Sequence, residues 1–202
     1  MRVREVAHDV RSHLHQRHRY AHSLRVARLA GSLARAHGGD VQAAILAGLL
    51  HDLARLESGP ELVRACSERG LAIDAFEREH PIVLHARLGA ELARERFGVR
   101  AEPVLAAIRS HTLGAPGMSQ LEEIVYLADA LEPGREFSER GAYLRVAYED
   151  IPEAMRLVLG ASIAYLHDRG LTVAPRTAAA IAAYALREPS RSTVKESDLC
   201  PT

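Results

Sequence analysis

The sequence contains no tryptophan, and aromatic residues make up only 4% of its 202 residues. Its two cysteines, Cys66 and Cys200, show no C-x-x-C spacing, which argues against a disulfide framework and against a cysteine-based structural zinc site. Hydrophobic residues still reach 48% of the chain, enough for a folded core. Aliphatic and alanine side chains must do most of the packing, which favours helix–helix contacts over a β-sandwich.

The chain also lacks an excess of charge of either sign, since 26 basic residues balance 26 acidic ones. This balance gives no indication of nucleic-acid or membrane-surface binding. The first residues, MRVREVAHDVRSHLHQRH, lack the apolar centre of a signal peptide. No apolar run approaches the ~20 residues of a membrane span. We therefore expect a cytoplasmic protein that binds neither nucleic acid nor membrane.

Helical periodicity covers nearly the whole chain. Gly38 and Gly39 end one predicted helix, and Asp40 caps the next. Ser119 with Glu122 has the spacing of a capping box, and Asp150 caps a later helix. The predicted helices span about residues 4–16, 20–37, 41–56, 58–70, 81–98, 102–112, 119–132, 150–170 and 175–187. The sequence predicts one all-α domain over residues 1–188, a bundle of eight to nine helices, and a disordered polar tail over residues 189–202.

The pair His51-Asp52, in the run AAILAGLLHDLAR, is the most informative pattern. Adjacent residues on a helix point about 100° apart, so a buried imidazole and a buried carboxylate here cannot simply pair with each other. Each needs another partner, because an unpaired buried charge is very costly. A metal ion bound by both would be that partner.

Further ligand-type side chains lie on the apolar faces of other predicted helices. Histidine with carboxylate favours iron, manganese, zinc, cobalt or nickel over calcium and magnesium. Six ligands are too many for one tetrahedral ion, but they fit two octahedral ions that share Asp52, a pair that can activate water for attack on phosphorus. A single inward histidine is more often an ordinary core residue, so the prediction depends on the joint pattern. The predicted ligands are His22, His51, Asp52, His85, His111 and Asp129.

The order His22, His51-Asp52, Asp129 resembles the H…HD…D pattern of the HD-domain metal phosphohydrolases. The runs RHRYAHSLRVARLA, HARLGAEL and IRSHTLGAPGMSQLEEIVYLADALEPGR are similar to those of the symmetrical diadenosine tetraphosphate hydrolases within that superfamily. The resemblance covers about residues 17–187 and implies an HD-domain helical bundle. It also implies a binuclear centre, with iron as the first expectation and manganese, cobalt, nickel or zinc as alternatives.

The resemblance further implies how the ligands divide. His22, His51, Asp52 and Asp129 would hold one ion, and Asp52, His85 and His111 the second. The implied reaction splits diadenosine tetraphosphate in the middle to give two ADP, through attack of a metal-bridged hydroxide on phosphorus.

Arginines near the predicted ligands are expected to bind phosphate. Arg25 and Arg55 follow His22 and Asp52 by three residues and can reach the same rim, whereas a regular helix would point Arg109 away from His111. The alternative is a solvated charge for each arginine and an ordinary ion pair for Glu132. The loop LGAPGM could line the nucleoside site or simply connect helices. The predicted catalytic residues are Asp52, Arg55, Thr112 and Glu132, and the predicted substrate contacts are Arg25, Arg55, Arg109, Thr112, Gly114, Met118 and Arg135.

Other functions remain open from the sequence. A nucleoside monophosphate or a cyclic nucleotide could be the substrate of an HD-type phosphohydrolase. A nucleotide-binding regulator with structural metal would be expected to have lost a ligand, and a nucleic-acid binder would need a basic face. The expected partner is a small-molecule nucleotide, and the run AAAIAAYALR could pack internally or form a homodimer.

Overall fold

The computed structural model describes residues 3–186, with the side chains of residues 5–186. Within that range the chain is all helical, with eleven α-helices and no strand. None of these helices is long and apolar enough to cross a membrane. The helices are α1 (Val3–Leu14), α2 (Arg17–Ala36), α3 (Val41–Leu50), α4 (Gly59–Glu68), α5 (Ala75–Glu79), α6 (His85–Phe97), α7 (Glu102–Ser110), α8 (Gln120–Leu131), α9 (Arg140–Glu149), α10 (Ile151–Asp168) and α11 (Pro175–Ala185), with a 3₁₀ turn at Pro81–Leu84 before α6.

The all-α prediction is confirmed, but the predicted number of eight to nine helices is wrong, because the described residues form eleven. The two additional helices are α5 and α9. Helix α5 has only five residues and begins at a capping box, in which the Asp74 carboxylate accepts from Glu77 N at 2.8 Å. In α9 only Ala147 is fully buried, and Tyr143, Leu144 and Val146 pack partly buried against the core. The capping box of α5 was therefore a sequence signal that went unused, whereas α9 depends on packing.

Local capping signals are reproduced at three helix starts. Asp40 accepts from Gln42 N and Ala43 N, Ser119 forms its capping box, and the Asp150 carboxylate accepts from Glu153 N. One helix end differs from the prediction, because α3 ends at Leu50 rather than near residue 56 and residues 51–56 form turns. The predicted tail at 189–202 and the domain boundary at 188 lie outside the described residues.

Two groups of buried apolar side chains form the core. One is built largely by α1, α3, α4, α6 and α7, and the other largely by α2, α8, α9, α10 and α11. Helices α2 and α8 contribute to both groups. In α2, for example, Ala27 belongs to the first group and its neighbour Val26 to the second. The alanine-rich helix α11 buries Thr177, Ala180 and Tyr184, which supports internal packing of this helix. A homodimer stays a prediction.

Helices α2 and α3 approach each other very closely at Gly48. A Cβ atom built there would lie 2.9 Å from Ala27 Cα, closer than real Cβ contacts. The absence of a side chain at Gly48 is therefore what allows the two backbones to meet. This contact fixes the spacing between His22 on α2 and His51 at the end of α3.

Candidate metal centre

Four imidazole rings converge around the carboxylate of Asp52. The Nε2 atoms of His22 and His51 are 3.2 Å apart, and those of His85 and His111 are also 3.2 Å apart. Asp52 Oδ2 lies 3.8 Å from His22 Nε2 and 3.6 Å from His51 Nε2. Asp52 Oδ1 lies 3.4 Å from His85 Nε2 and 3.8 Å from His111 Nε2. The two carboxylate oxygens thus face different histidine pairs, which is the arrangement of a bridging ligand.

Three of the four histidines stand at helix ends, where one geometry recurs. His51 and His111 follow the last residues of α3 and α7, and His85 begins α6. In each ring Nδ1 donates to the carbonyl oxygen of the residue three positions earlier. These acceptors are Gly48, Ile82 and Ile108, at 2.8, 2.5 and 2.7 Å. A proton held on Nδ1 leaves the Nε2 lone pair directed into the cluster.

His51 and Asp52 lie in the turn that follows α3, and their nearest polar atoms are 3.6 Å apart. This distance is beyond a hydrogen bond, so the two groups do not satisfy each other. Each needs another partner, as the sequence predicts.

His22 is oriented by a carboxylate instead of a backbone carbonyl. Its Nδ1 donates to Glu132 Oε1 at 3.1 Å, and its Nε2 lies 3.1 Å from Asp129 Oδ1. Glu132 in turn accepts from the guanidinium of Arg25 and from Gly134 N at 2.5 Å. Burial opposes ionisation of Glu132, but these hydrogen bonds lower its pKa to about 2. Glu132 is therefore an ionised group that positions His22 from behind.

The donor set fits a divalent metal ion. When Nδ1 carries the proton in both rings, the Nε2 atoms of His22 and His51 each have a free lone pair. These two nitrogen atoms are 3.2 Å apart. Two nitrogens bound to one ion at about 2.1 Å lie about 3.0 Å apart at a right angle and about 3.4 Å apart at a tetrahedral angle. The observed spacing falls between these values. Histidine and aspartate together suit borderline divalent metals.

Electrostatics keep most of these groups in the protonation state that metal binding requires. Burial lowers the pKa of His111 to about 3, with His51 and His85 acting in the same direction. Burial would raise the pKa of Asp52, but the surrounding histidines hold it well below its usual range. Asp129 behaves likewise, through its hydrogen bond to His22. Burial opposes protonation of His22, but Asp129, Glu132 and Asp52 together raise its imidazole pKa, so protons compete with a metal there at low pH.

Asp52, His85, His111 and Asp129 line a cavity of about 370 Å³, within the usual size range of ligand sites. Three arginines line it. Arg19 Nη1 lies 3.5 Å from Asp52 Oδ2, and Arg135 Nη2 lies 2.5 Å from Asp129 Oδ1. Burial, together with the charge of Arg19, lowers the pKa of Arg55. The lining residues are Arg19, Asp52, Arg55, Ile82, Val83, His85, His111, Thr112, Tyr126, Asp129, Ala130, Arg135 and Ser162.

Sequence reasoning missed Arg19, although a usable signal was present. Arg19 precedes His22 by three residues, the same separation that pointed to Arg25 on the other side. Thr112, which was predicted, lies beside the cluster, with Oγ1 3.0 Å from His111 Nε2 and 3.2 Å from His85 Nε2.

The other predicted substrate contacts lie elsewhere in the structure. Arg25 pairs with Glu132, and Arg109 pairs with Glu102, as expected if its helix is regular. Met118 is buried in the apolar core at 5% exposure. Gly114 occupies the turn after α7, where a Cβ would meet Met118 and two neighbouring side chains. The structure therefore brings Arg55, Thr112 and Arg135 to the cavity, but not Arg25, Arg109, Gly114 or Met118.

Comparison with known proteins agrees with this geometry. The HD domain family model matches residues 19–134. The chain is 36% identical over 170 residues to the symmetrical bis(5'-nucleosyl)-tetraphosphatase of Halalkalibacterium halodurans, covering 84% of this chain and 90% of the relative. It is 32% identical over 160 residues to the Bacillus subtilis protein of the same name, covering 79% and 86%. A crystal structure from Clostridium acetobutylicum, described as a predicted HD superfamily hydrolase involved in NAD metabolism, matches with a TM-score of 0.88 at 32% identity, covering 93% of this chain and 99% of that one. The chain therefore belongs to the HD domain family.

Proposed function

We propose that this protein is a metal-dependent hydrolase that cleaves diadenosine tetraphosphate symmetrically into two ADP. The observation that carries the proposal is the division of the Asp52 carboxylate between two histidine pairs, in a cavity lined by arginine. The names of the two relatives, symmetrical bis(5'-nucleosyl)-tetraphosphatases, support the substrate and the position of cleavage.

The proposed centre holds two divalent ions. His22, His51, Asp52 and Asp129 would hold one, and Asp52, His85 and His111 the other. Iron is the first expectation, with manganese, cobalt, nickel or zinc as alternatives. Divalent ions at these ligands would supply an activated water and neutralise charge that develops on the phosphoryl group.

The arginines of the cavity supply phosphate binding. Arg19 and Arg135 now face Asp52 and Asp129, whose charges they partly neutralise. Once these carboxylates are ligands, both guanidinium groups become available to phosphate oxygens, and Arg55 already faces the cavity. Guanidinium groups bind phosphate through paired hydrogen bonds, which fixes the orientation of the chain of phosphates.

The leaving group needs little help from a protein acid. Symmetrical cleavage releases ADP, and the second ionisation of a terminal phosphate has a pKa of about 6, so the product can depart ionised at neutral pH. Thr112 lies beside the metal ligands and can donate a hydrogen bond to a bound phosphate oxygen. Glu132 lies behind His22, so we assign it a positioning role instead of a proton-transfer role.

Product analysis tests the proposal directly. Protein loaded with iron under anaerobic conditions, or with manganese, is incubated with diadenosine tetraphosphate, and the nucleotides are separated by ion-exchange chromatography. We expect ADP as the product. AMP with ATP would contradict symmetrical cleavage, and faster turnover of nucleoside monophosphates or cyclic nucleotides would favour the alternative phosphohydrolase.

Asp52→Asn tests the bridging role. The variant should lose turnover and bind less metal, because a neutral amide bridges two cations poorly. Arg69→Ala is the matched surface control, since Arg69 pairs with Glu95 outside the cavity, and it should retain activity. Full activity of Asp52→Asn would contradict the assignment.

A further inference from the structure

The cavity carries two uncharged surfaces in addition to its charged centre. Ile82 and Val83, from the 3₁₀ turn, form the first wall. Tyr126, Ala130 and Ser162, from α8 and α10, form the second wall. The metal ligands and arginines described above do not use either surface.

The first wall adjoins the second histidine pair. The carbonyl oxygen of Ile82 accepts from His85 Nδ1 at 2.5 Å, and His85 Nε2 lies 3.4 Å from Asp52 Oδ1. Because this hydrogen bond ties the turn to a predicted ligand, the position of the wall relative to the centre is fixed. The Ile82 side chain is 42% exposed, which is high for a large aliphatic group, and it borders the cavity.

The second wall adjoins the other end of the cluster. Tyr126 and Ala130 flank Asp129 on α8, and Asp129 Oδ1 lies 3.1 Å from His22 Nε2. Ser162 comes from α10, beyond the part of the chain that the family model matches. Tyr126 is neutral, since burial raises its pKa to about 12, and its hydroxyl hydrogen-bonds with Ser162. Ser162 Oγ in turn donates to Val158 O at 2.9 Å. The second wall is therefore an uncharged surface whose hydroxyl groups are held in place by protein partners.

We propose that each wall binds one nucleoside of a dinucleoside polyphosphate, with the phosphates held between them by the charged centre. The inference rests on the proposed function and adds residues that recognise the two ends of the substrate. A ligand with phosphates in the middle and a nucleoside at each end needs two uncharged surfaces on opposite sides of a charged one. The first wall offers aliphatic contact to a base or sugar, and the second offers the uncharged side chains of Tyr126, Ala130 and Ser162.

Such a site favours dinucleotides because a mononucleotide can occupy only one wall at a time. Removing one wall should therefore weaken the binding of a dinucleoside ligand. A ligand with a single nucleoside can use the remaining wall and should be affected much less. A phosphate compound without a nucleoside should not respond to either change.

The test measures binding by calorimetry on manganese-loaded protein with three ligands that resist hydrolysis. They are the diadenosine tetraphosphate analogue with a methylene group between its central phosphorus atoms, adenosine β,γ-methylene triphosphate, and methylenediphosphonate. Ile82→Ser alters the first wall and Ser162→Leu blocks the second. The controls make the same changes outside the cavity. They are Leu171→Ser, at another exposed aliphatic residue, and Ser32→Leu, at a helical serine that accepts a hydrogen bond from Tyr148.

Each wall variant should weaken the dinucleoside analogue about tenfold, because Ile82→Ser removes a buried apolar contact and Ser162→Leu occupies the space of one nucleoside. The mononucleoside analogue should change less than about threefold in either single variant and about tenfold in the double variant. Equal losses for all three ligands, or an unchanged affinity for the dinucleoside analogue, would overturn the inference. Circular dichroism confirms folding, and Ser162→Ala replaces Ser162→Leu if the larger side chain disrupts α10.

The two proposals fail separately. If the wild type binds the analogues in the expected pattern but does not convert diadenosine tetraphosphate, only the proposed function falls. If it converts diadenosine tetraphosphate while the wall variants bind like the controls, only the inference falls.

Discussion

Replacing Gly48 by alanine perturbs the contact that sets the spacing between α2 and α3. The added Cβ would lie 2.9 Å from Ala27 Cα and 3.0 Å from Ala27 N. Both atoms belong to the backbone of a helix, so no side-chain rotation can relieve the clash. Carbon atoms in contact prefer about 3.5–4.0 Å, so the two helices must separate by roughly 0.6–1.1 Å.

Two opposing effects set the expected change in stability. Overpacking of this kind costs about 1–3 kcal/mol, whereas alanine favours a helix interior over glycine by about 1 kcal/mol. We expect a net loss of up to about 2 kcal/mol in the free energy of unfolding. Gly160→Ala is the matched control, because a Cβ there would lie 3.7 Å from its nearest neighbour, Ile181, in ordinary contact. It should instead gain up to about 1 kcal/mol.

Separation of the helices should also disturb the proposed metal centre. Gly48 O accepts from His51 Nδ1, and the Nε2 atoms of His22 and His51 are only 3.2 Å apart. Urea denaturation would measure stability, and metal content after gel filtration would measure retention. A Gly48→Ala protein as stable and as rich in metal as Gly160→Ala would refute this account of how the site is positioned.

Three further changes test separate parts of the molecule. Glu132→Gln should fold normally but weaken metal affinity about 10–100-fold, because it removes the charged partner of His22; unchanged affinity in a metal titration would rule out the positioning role. Arg19→Ala should raise KM for diadenosine tetraphosphate about tenfold or more, by loss of a charged phosphate contact, with little change in helicity; a KM like that of the wild type would remove it from the phosphate site. Cys66 is fully buried, and burial raises the pKa of its thiol. As pH rises, the thiol therefore ionises in the unfolded chain before it ionises in the folded protein. The free energy of unfolding should fall as pH rises above about 8.5. The stability advantage of the wild type over Cys66→Ala, from urea denaturation under reducing conditions, should shrink between pH 8 and pH 10, and a constant difference would contradict the shift.

Much of the fold could be predicted because its signals are local. A capping carboxylate such as Asp40 or Asp150 acts on backbone N–H groups two or three residues away, so the sequence is enough to locate the helix start. Helix α9 gave no such signal, since no side chain caps its first residues. Its existence depends on neighbours distant in the chain.

The six predicted ligand side chains came from a similar argument, because imidazole and carboxylate on apolar faces need partners wherever the chain folds. The structure brings all six together, and their role as ligands stays a prediction. The sequence could not show that His51 and Asp52 leave α3 in a turn, nor that Asp52 turns its two oxygens to different histidine pairs.

By itself, then, the sequence determined the helical class, the capped helix starts and the type of chemistry that the buried polar groups demand. Tertiary packing alone decided which groups meet. It placed Arg19 and Ser162 at one cavity, left Arg25 paired with Glu132, and buried Met118 in the core. The physical reason is range: helix formation depends on residues within one or two turns, whereas a cavity depends on the close approach of helices far apart in the chain, such as the contact at Gly48.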